Sequence, residues 1–197
     1  MIGKEKFRKI RREIKELQAK THGIYCMVQH LNRVLCDMGM DSQNKKNLSP
    51  ERIPMQNSRV LNELKRIATN FRNAIIEVKD SSPLESLRKF PVGACGDAAL
   101  LLGHHLNDLG YEHVLRISGY KGDQSHAWVQ IKGLIIDITA YQYGDIDEEV
   151  IVTNDDKWHR EFNDDLQKKQ ADINACDDNS RKRLLSAYEQ IVSNIED

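Results

Sequence analysis

Apolar residues repeat at helical spacing through much of the first half of the chain. The repeats predict amphipathic helices at about 3–20 and 24–38, and a strongly periodic third helix at 59–78. Between the second and third of these helices, residues 39–57 are polar and contain glycine and proline, so we expect a long loop there. That loop is the best candidate for a domain boundary.

The pattern changes in the middle of the chain. Residues 95–109 are apolar around most of a helix circumference, which is typical of a buried central helix, and Gly110 is a suitable residue to end it. Three short runs with strand character follow, at 114–118, 127–131 and 134–139. The sequence therefore predicts a central helix that packs on an antiparallel sheet.

The last quarter of the chain gives weaker signals. Residues 149–153 could add a strand, whereas residues 155–178 are charged and poorly periodic. An amphipathic helix closes the chain at 179–196, with Asn179 or Ser180 as its expected N-cap. The order of elements predicts the α+β class: helices first, then a central helix on a sheet, then a closing helix.

The length of the chain, 197 residues, is enough to bury the core of one domain. We expect a single domain over 1–197. Its expected parts are a helical region at 1–78, a core at 80–160 and the closing helix at 179–196.

The charge balance gives no general case for binding to nucleic acid or to an anionic membrane. The formal net charge is −1, and residues 1–20 are the basic exception, with eight Lys or Arg against three Glu. We interpret this stretch as the charged outer face of a docked helix. An arm for RNA, DNA or lipid is the alternative, and for a nucleic acid it predicts an affinity that falls with salt.

The N-terminus and the cysteines indicate the compartment. No apolar signal segment follows Met1, and no stretch is long enough for a membrane span. The four cysteines form no CxxC pair and lack metal-ligand spacing, so we expect free thiols in a reducing cytoplasm, with no metal and no cofactor. A delivered effector would share these features. The oligomeric state is left open by the sequence.

Cys95 is the leading candidate for a nucleophile. It stands at the expected start of the central helix, where free backbone N–H groups and the helix dipole favour a thiolate. Gly93 and Gly96 beside it would let a substrate backbone approach closely. Asp97 stabilises the helix start through the dipole and is a weaker candidate for substrate contact. A small core cysteine is the alternative interpretation.

His126 and Asp137 can be placed relative to each other by strand pairing. If Lys132 and Gly133 form a two-residue turn, Trp128 pairs with Asp137. Opposite residues share a face, and so do residues two apart on one strand, so His126 and Asp137 become diagonal neighbours on one face. A register slip of one residue would separate them. A histidine held by a carboxylate can act first as a general base and then as an acid, although Asp137 could instead cap a strand end.

Other polar residues are weaker candidates. His104 and His105 lie on different sides of the central helix from Cys95, and no HExxH motif is present, so we do not expect a zinc site. His159 follows the last expected strand, and we expect it to pack at a surface or an interface.

Contacts to a substrate are the least determined part of the site. The backbone N–H of Cys95 is one expected donor to an oxyanion, and Gln124 and Gln130 are weak candidates for a second. Trp128 is a weak candidate for substrate binding, together with the two glycines and Asp97 near the cysteine.

These residues resemble the transglutaminase-like branch of the papain-like cysteine enzymes. The family pattern is a glycine-flanked cysteine that opens a helix, a His-Ala-Trp-Val strand, and an aspartate followed shortly by threonine. Cys95, residues 126–129 and residues 137–139 match it. The similarity is greatest to small bacterial members, including the leader-peptide proteases of lasso-peptide pathways, which share a Phe-Pro shortly before the cysteine. It covers about residues 88–143.

Two departures from related patterns narrow the range of enzymes that the chain resembles. The spacing of 11 residues from His126 to Asp137 is short for a transglutaminase, so the loop that helps to shape acceptor sites in larger members is missing. Arylamine acetyltransferases use the same residue order, but their arginine-rich, double-glycine approach to the cysteine is absent here.

The resemblance implies a papain-like fold and a catalytic core in which Cys95 is the nucleophile, His126 the general base and Asp137 the orienting acid. We therefore expect cysteine-dependent chemistry on amides, either peptide hydrolysis or deamidation of protein glutamine, through a thioester. Acyl transfer to an amine and a non-catalytic interaction module on the same scaffold are the alternatives. The expected partner is a peptide or protein substrate, with neither a membrane nor a nucleic acid.

Overall fold

The computed structural model describes residues 52–195, and the helices predicted at 3–20 and 24–38 lie outside this range. The described residues fall almost wholly within a compact unit that begins at Met55, inside the segment where the sequence predicts a boundary. Within the described part, no helix is long and apolar enough to cross a membrane.

Four α-helices and several short 3₁₀ turns are present in the described residues. The α-helices are α1 (Arg52–Val78), α2 (Glu85–Arg88), α3 (Cys95–Asp108) and α4 (Asp178–Val192). Helix α1 begins seven residues before the predicted start at 59, so the prediction of a loop as far as residue 57 is wrong. Pro54 lies in the first turn of α1, where a missing backbone N–H costs no helical hydrogen bond, and it therefore does not stop the helix.

Between residues 52 and 195, five antiparallel strands form one sheet. They are β1 (Val114–Lys121), β2 (Gln124–Ile131), β3 (Leu134–Asp137), β4 (Ile151–Thr153) and β5 (Asp164–Gln170), in the spatial order β4-β3-β2-β1-β5. The four strands predicted from the sequence are all present, with somewhat different ends. The α+β class is confirmed.

The two faces of the sheet carry different sets of side chains. One face packs against α3, and its alternate residues Ala127, Val129 and Ile131 on β2 join a core that includes the buried sides of α1 and α4. The other face holds a smaller apolar cluster around Trp128, Ile135 and Phe162. Helix α3 covers only the first face. The connections that follow β3 and β4 enclose the second face.

Strand β5 was not predicted, because all seven of its residues are exposed and no alternation of apolar and polar residues marks it. The expected N-cap of the last helix was also wrong. Asp177 caps α4, since its side chain accepts hydrogen bonds from the backbone N–H groups of Asn179 and Ser180, both at 3.1 Å.

His105 provides a test of the core near the C-terminal end of α3. Its ring stacks on Phe71 with the ring centroids 5.1 Å apart, and its Nδ1 lies 3.2 Å from the Tyr188 hydroxyl. Burial is the largest cause that lowers the pKa of His105, to about 4, although Asp108 opposes it. Between pH 6.5 and about 4 the unfolded chain therefore binds a proton here that the folded chain does not bind.

We expect acidification through that window to lower the free energy of unfolding by up to about 3 kcal/mol through His105 alone, from roughly 1.4 kcal/mol per pKa unit. Urea unfolding at several pH values should show this loss in the wild type and a smaller loss in His105→Leu. His113→Asn, which replaces an exposed histidine in the loop after α3, is the control and should retain the wild-type pH dependence. Equal losses in all three proteins would contradict the prediction.

Candidate active site

The hairpin formed by β2 and β3 brings His126 and Asp137 together. Ile131 pairs with Leu134, and the turn residues between them have positive φ angles, 49° at Lys132 and 90° at Gly133, as a tight two-residue hairpin turn requires. This is the predicted register. His126 Nε2 lies 2.6 Å from Asp137 Oδ2, which confirms that the two side chains share a face.

The Asp137 carboxylate has hydrogen-bond donors on both oxygens. Oδ1 accepts from the backbone N–H groups of Thr139 and Ala140, at 2.8 and 3.1 Å, and from the Thr139 hydroxyl at 3.1 Å. Oδ2 faces His126 and also His159, whose Nε2 is 2.9 Å away. Asp137 thus caps the strand end through Oδ1 and binds the histidines through Oδ2. The two interpretations of its role are therefore compatible.

Charge and hydrogen bonding shift the two groups in opposite directions. Burial alone would raise the pKa of Asp137, but His126 and His159 together hold it well below its usual range. Burial is also the largest single cause acting on His126, and it lowers the pKa, but Asp137 and then Cys95 outweigh it and raise the pKa to about 9. The structure therefore favours an imidazolium–carboxylate pair.

The second ring nitrogen of His126 is available to the thiol. His126 Nδ1 is buried and has no hydrogen-bond partner among the described residues, while Nε2 is taken by Asp137. The Cys95 sulfur lies beside the backbone of the preceding residue, Ser125, and Cys95 is among the groups that raise the pKa of His126. Nδ1 is therefore the nitrogen that can exchange a proton with Cys95.

Cys95 is the first residue of α3, as predicted, and it is only partly buried. Its Sγ lies 4.0 Å from the carbonyl oxygen of Ser125, which also accepts a hydrogen bond from the Tyr143 hydroxyl. The first N–H to bond within the helix is that of Ala98, so the N–H groups of Cys95, Gly96 and Asp97 point out of the helix start beside the sulfur. The N-cap residue, Ala94, has no polar side chain that could accept hydrogen bonds from these N–H groups.

Aromatic rings enclose the His126 imidazole. Ring centroids of four residues lie within 5.1–5.7 Å of it: Trp128, Tyr143, Trp158 and Phe162. The His126 side chain is 0% exposed as a result. This enclosure keeps bulk water from the His–Asp pair and fixes the plane of the ring.

Trp128 does not fit its predicted part in substrate binding. It is 5% exposed and stacks on His126 within the second apolar cluster. Its place is behind the histidine rather than on an open surface. The weak candidates Gln124 and Gln130 lie on β2, and neither forms a hydrogen bond with Cys95; Gln124 is exposed at the strand start.

Of the residues beside Cys95, Gly93 has open space next to it, whereas Gly96 and Asp97 contact other parts of the protein. Gly93 has φ +69°, and no atom lies within 4 Å of the point where a Cβ would stand, so the surface beside it is open. Gly96 lies near the Arg116 guanidinium, which is 3.6 Å from the corresponding point. Asp97 accepts a hydrogen bond from the Ser86 hydroxyl, which ties the start of α3 to α2.

Gln142 is a residue that the sequence analysis did not identify. Its Oε1 accepts from the Gly93 N–H at 3.0 Å, and its Nε2 donates to the Thr139 carbonyl at 3.0 Å. It therefore ties the loop before Cys95 to the segment that follows Asp137. No local pattern marks such a residue, because both partners are distant in sequence.

His159 is the second residue that was missed, and the expectation that it packs at a surface or an interface is wrong. It is 3% exposed and lies in a 3₁₀ turn (His159–Glu161) between β4 and β5. The only local signal was its position beside Trp158, since the contact with Asp137 spans 22 residues.

The side chains of His126, Asp137 and His159 have ligand atoms within 4.8 Å of one another, all buried. The geometry favours a hydrogen-bond network over a set of metal ligands. Both nitrogens lie at hydrogen-bond distance from the same oxygen, 2.6 and 2.9 Å. A metal ion with bonds of about 2.0–2.1 Å would have to enter between atoms that already contact each other and replace both protons.

The site is thus assembled from the start of α3, the β2–β3 hairpin, and the 3₁₀ turns that follow β3 and β4. Comparison with known proteins gives no match of any kind: no family model, no curated protein and no solved structure matches this chain.

Proposed function

We propose that this protein is a thiol enzyme that acts on amides. Cys95 is the nucleophile, His126 transfers the proton and Asp137 orients the imidazole. The observation that carries the proposal is the buried His126–Asp137 pair, 2.6 Å apart, whose free ring nitrogen is left for a partly exposed thiol at a helix start. The order helix-borne cysteine, strand-borne histidine, strand-borne aspartate supports a papain-like, transglutaminase-like scaffold.

The proposed reaction begins with the Cys95 sulfur as a thiolate beside the His126 imidazolium. The sulfur attacks the carbonyl carbon of the amide, and the C–N bond breaks as His126 Nδ1 gives its proton to the departing amine. The product is a thioester and a neutral imidazole. Water then attacks the thioester, His126 accepts its proton, and the sulfur leaves as thiolate.

The outward-pointing N–H groups at the start of α3, that of Cys95 among them, are suited to stabilise the oxyanion that forms on the carbonyl. Hydrolysis is the simplest outcome, because water needs no binding site of its own. Hydrolysis covers both cleavage of a peptide and deamidation of a glutamine side chain, and acyl transfer to an amine is the variant in which another acceptor replaces water.

A non-catalytic interaction module is the rival interpretation. The buried ion pair speaks against it, because taking two charges out of water costs several kcal/mol per ion before their attraction is counted. An interaction surface has no need of that arrangement beside a thiol, whereas proton transfer does.

Alkylation of the cysteines tests the proposal. We expect Cys95 to react with iodoacetamide at about pH 6.5 at least about 10-fold faster than Cys176, which is also free and partly exposed. Peptide-resolved mass spectrometry would follow both sites in one sample. The fast phase should vanish in Cys95→Ala and weaken strongly in His126→Gln, because the imidazolium no longer stabilises the thiolate.

His104→Gln, at the other end of α3, is the matched control and should react like the wild type. Slow labelling of every cysteine in a folded wild-type protein would favour the interaction module. Two electrophiles then distinguish between the possible reactions. Labelling of Cys95 by a glutamine mimetic favours deamidation or transfer. Stronger labelling of Cys95 by a peptide aldehyde favours proteolysis.

A further inference from the structure

His159 shares the Asp137 carboxylate with His126. Its Nε2 lies 2.9 Å from the same oxygen, Oδ2, that His126 Nε2 approaches at 2.6 Å. An ionised carboxylate oxygen can only accept hydrogen bonds, so a ring nitrogen held at this distance from it must be the donor. Both histidines must therefore carry a proton on Nε2.

The surroundings of His159 hold its ring in place. Its ring centroid lies 4.9 Å from those of Trp128 and Trp158, and the residue is 3% exposed. A phenylalanine would supply the same packing at this position. The imidazole adds one thing that packing does not need, which is a hydrogen bond to Asp137.

This second hydrogen bond has two consequences for His126. First, it adds a second donor on Oδ2 to the three on Oδ1, so the carboxylate is held more firmly against rotation away from His126. Second, it draws negative charge from Oδ2 and weakens the attraction that Asp137 exerts on the His126 proton. A neutral His159 does this through its N–H dipole, and a charged one does it more strongly.

We propose that His159 is a positioning residue, which fixes Nδ1 as the nitrogen of His126 that serves the thiol and moderates how tightly His126 holds its proton. The proposal rests on the function proposed above, since it assigns His159 a part in the same proton transfer. His159 does not touch the reacting atoms, and it acts through Asp137.

The other groups that face the His126 ring are Cys95 on α3, Asp137 on β3 and Tyr143 in the 3₁₀ turn after β3. Burial raises the pKa of Tyr143, so this group stays neutral over the relevant range. Replacement of His159 leaves all three in place. A change in the titration of His126 would then report the loss of the shared hydrogen bond.

Long-range ¹H–¹⁵N spectra of the histidine side chains test the proposal in the full-length protein. In the wild type, His126 and His159 should both show the proton on Nε2 when they are neutral. In His159→Phe the titration midpoint of His126 should move upward, by about 0.5–1 pH unit, because Asp137 then acts on one partner only. In His159→Gln, which retains an N–H donor at a similar reach, the midpoint should stay within about 0.2 unit of the wild type.

An unchanged His126 midpoint in a folded His159→Phe protein would overturn the proposal and leave His159 a packing residue. If that variant does not fold, the wild-type spectrum decides, because a neutral His159 with its proton on Nδ1 could not donate to Asp137. Failure of the enzyme proposal is read separately, from slow alkylation of Cys95 in the wild type.

Discussion

Replacing Asp137 with alanine will lower the free energy of unfolding by about 3–5 kcal/mol, the range typical when one partner of a buried ion pair is removed. It will also abolish the fast alkylation of Cys95. The carboxylate is 2% exposed and accepts from both histidines, two backbone N–H groups and one hydroxyl. Alanine leaves all of these donors without an acceptor in a space that water does not reach.

Asp137→Asn separates the contribution to stability from the contribution to reactivity. Its single carbonyl oxygen can stay with Thr139 and Ala140, which turns its amide N–H groups toward His126. The amide N–H groups then face the Nε2–H donors of both His126 and His159, and His126 must move its proton to Nδ1. We expect a folded protein, with a smaller loss of stability than in the alanine variant, whose Cys95 reacts no faster than Cys176.

Urea unfolding and peptide-resolved alkylation measure the two effects on the same samples. A fast Cys95 in Asp137→Asn would show that the carboxylate does not set the tautomer of His126. Full stability of Asp137→Ala would show that the network is not the buried one described here.

Gly119→Ala will disturb the site from β1, the strand next to the one that carries His126. Gly119 on β1 pairs with His126 on β2, and a Cβ there would stand 2.1 Å from the backbone oxygen of Phe162. A backbone oxygen cannot swing aside as the end of a flexible side chain can. Either β1 or the segment at 158–162 must shift, and that segment carries Trp158, His159 and Phe162 against the histidine.

We expect Gly119→Ala to cost about 2–3 kcal/mol of unfolding free energy, as overpacked sites commonly do, and to slow the alkylation of Cys95. Gly96→Ala is the control for stability, because its nearest atom, on Arg116, is at an ordinary contact distance of 3.6 Å and alanine favours the helix. Equal unfolding midpoints for the wild type and Gly119→Ala would contradict the close approach of Phe162 to β1.

The hairpin could be predicted because its information is local. The turn residues Lys132 and Gly133 adjoin the strands that they connect, so the pairing follows from counting, and it places His126 and Asp137 on one face. The start of α3 at Cys95 was also readable, since the apolar character of the helix begins there. These two local signals gave the central pair and the candidate nucleophile.

What could not be predicted depends on contacts between distant segments. His159 acquires its partner only when the connection after β4 folds over the second face of the sheet. Gln142 joins Gly93 across 49 residues, and nothing in its neighbouring sequence distinguishes it from any other glutamine near the surface. Strand β5 pairs with β1 through its backbone while its side chains face solvent, so its sequence carries charge rather than a strand pattern.

The turn at Lys132–Gly133 also limits how this chain can change by insertion or deletion. With the two-residue turn kept, a single residue gained within either strand between the two site residues would carry the aspartate to the surface covered by α3, out of reach of the histidine. A gain of two, one on each side of the turn, lengthens the ribbon and leaves both on their common surface. In any descendant that retains this chemistry and the two-residue turn, the interval from histidine to aspartate, 11 here, should therefore remain an odd number.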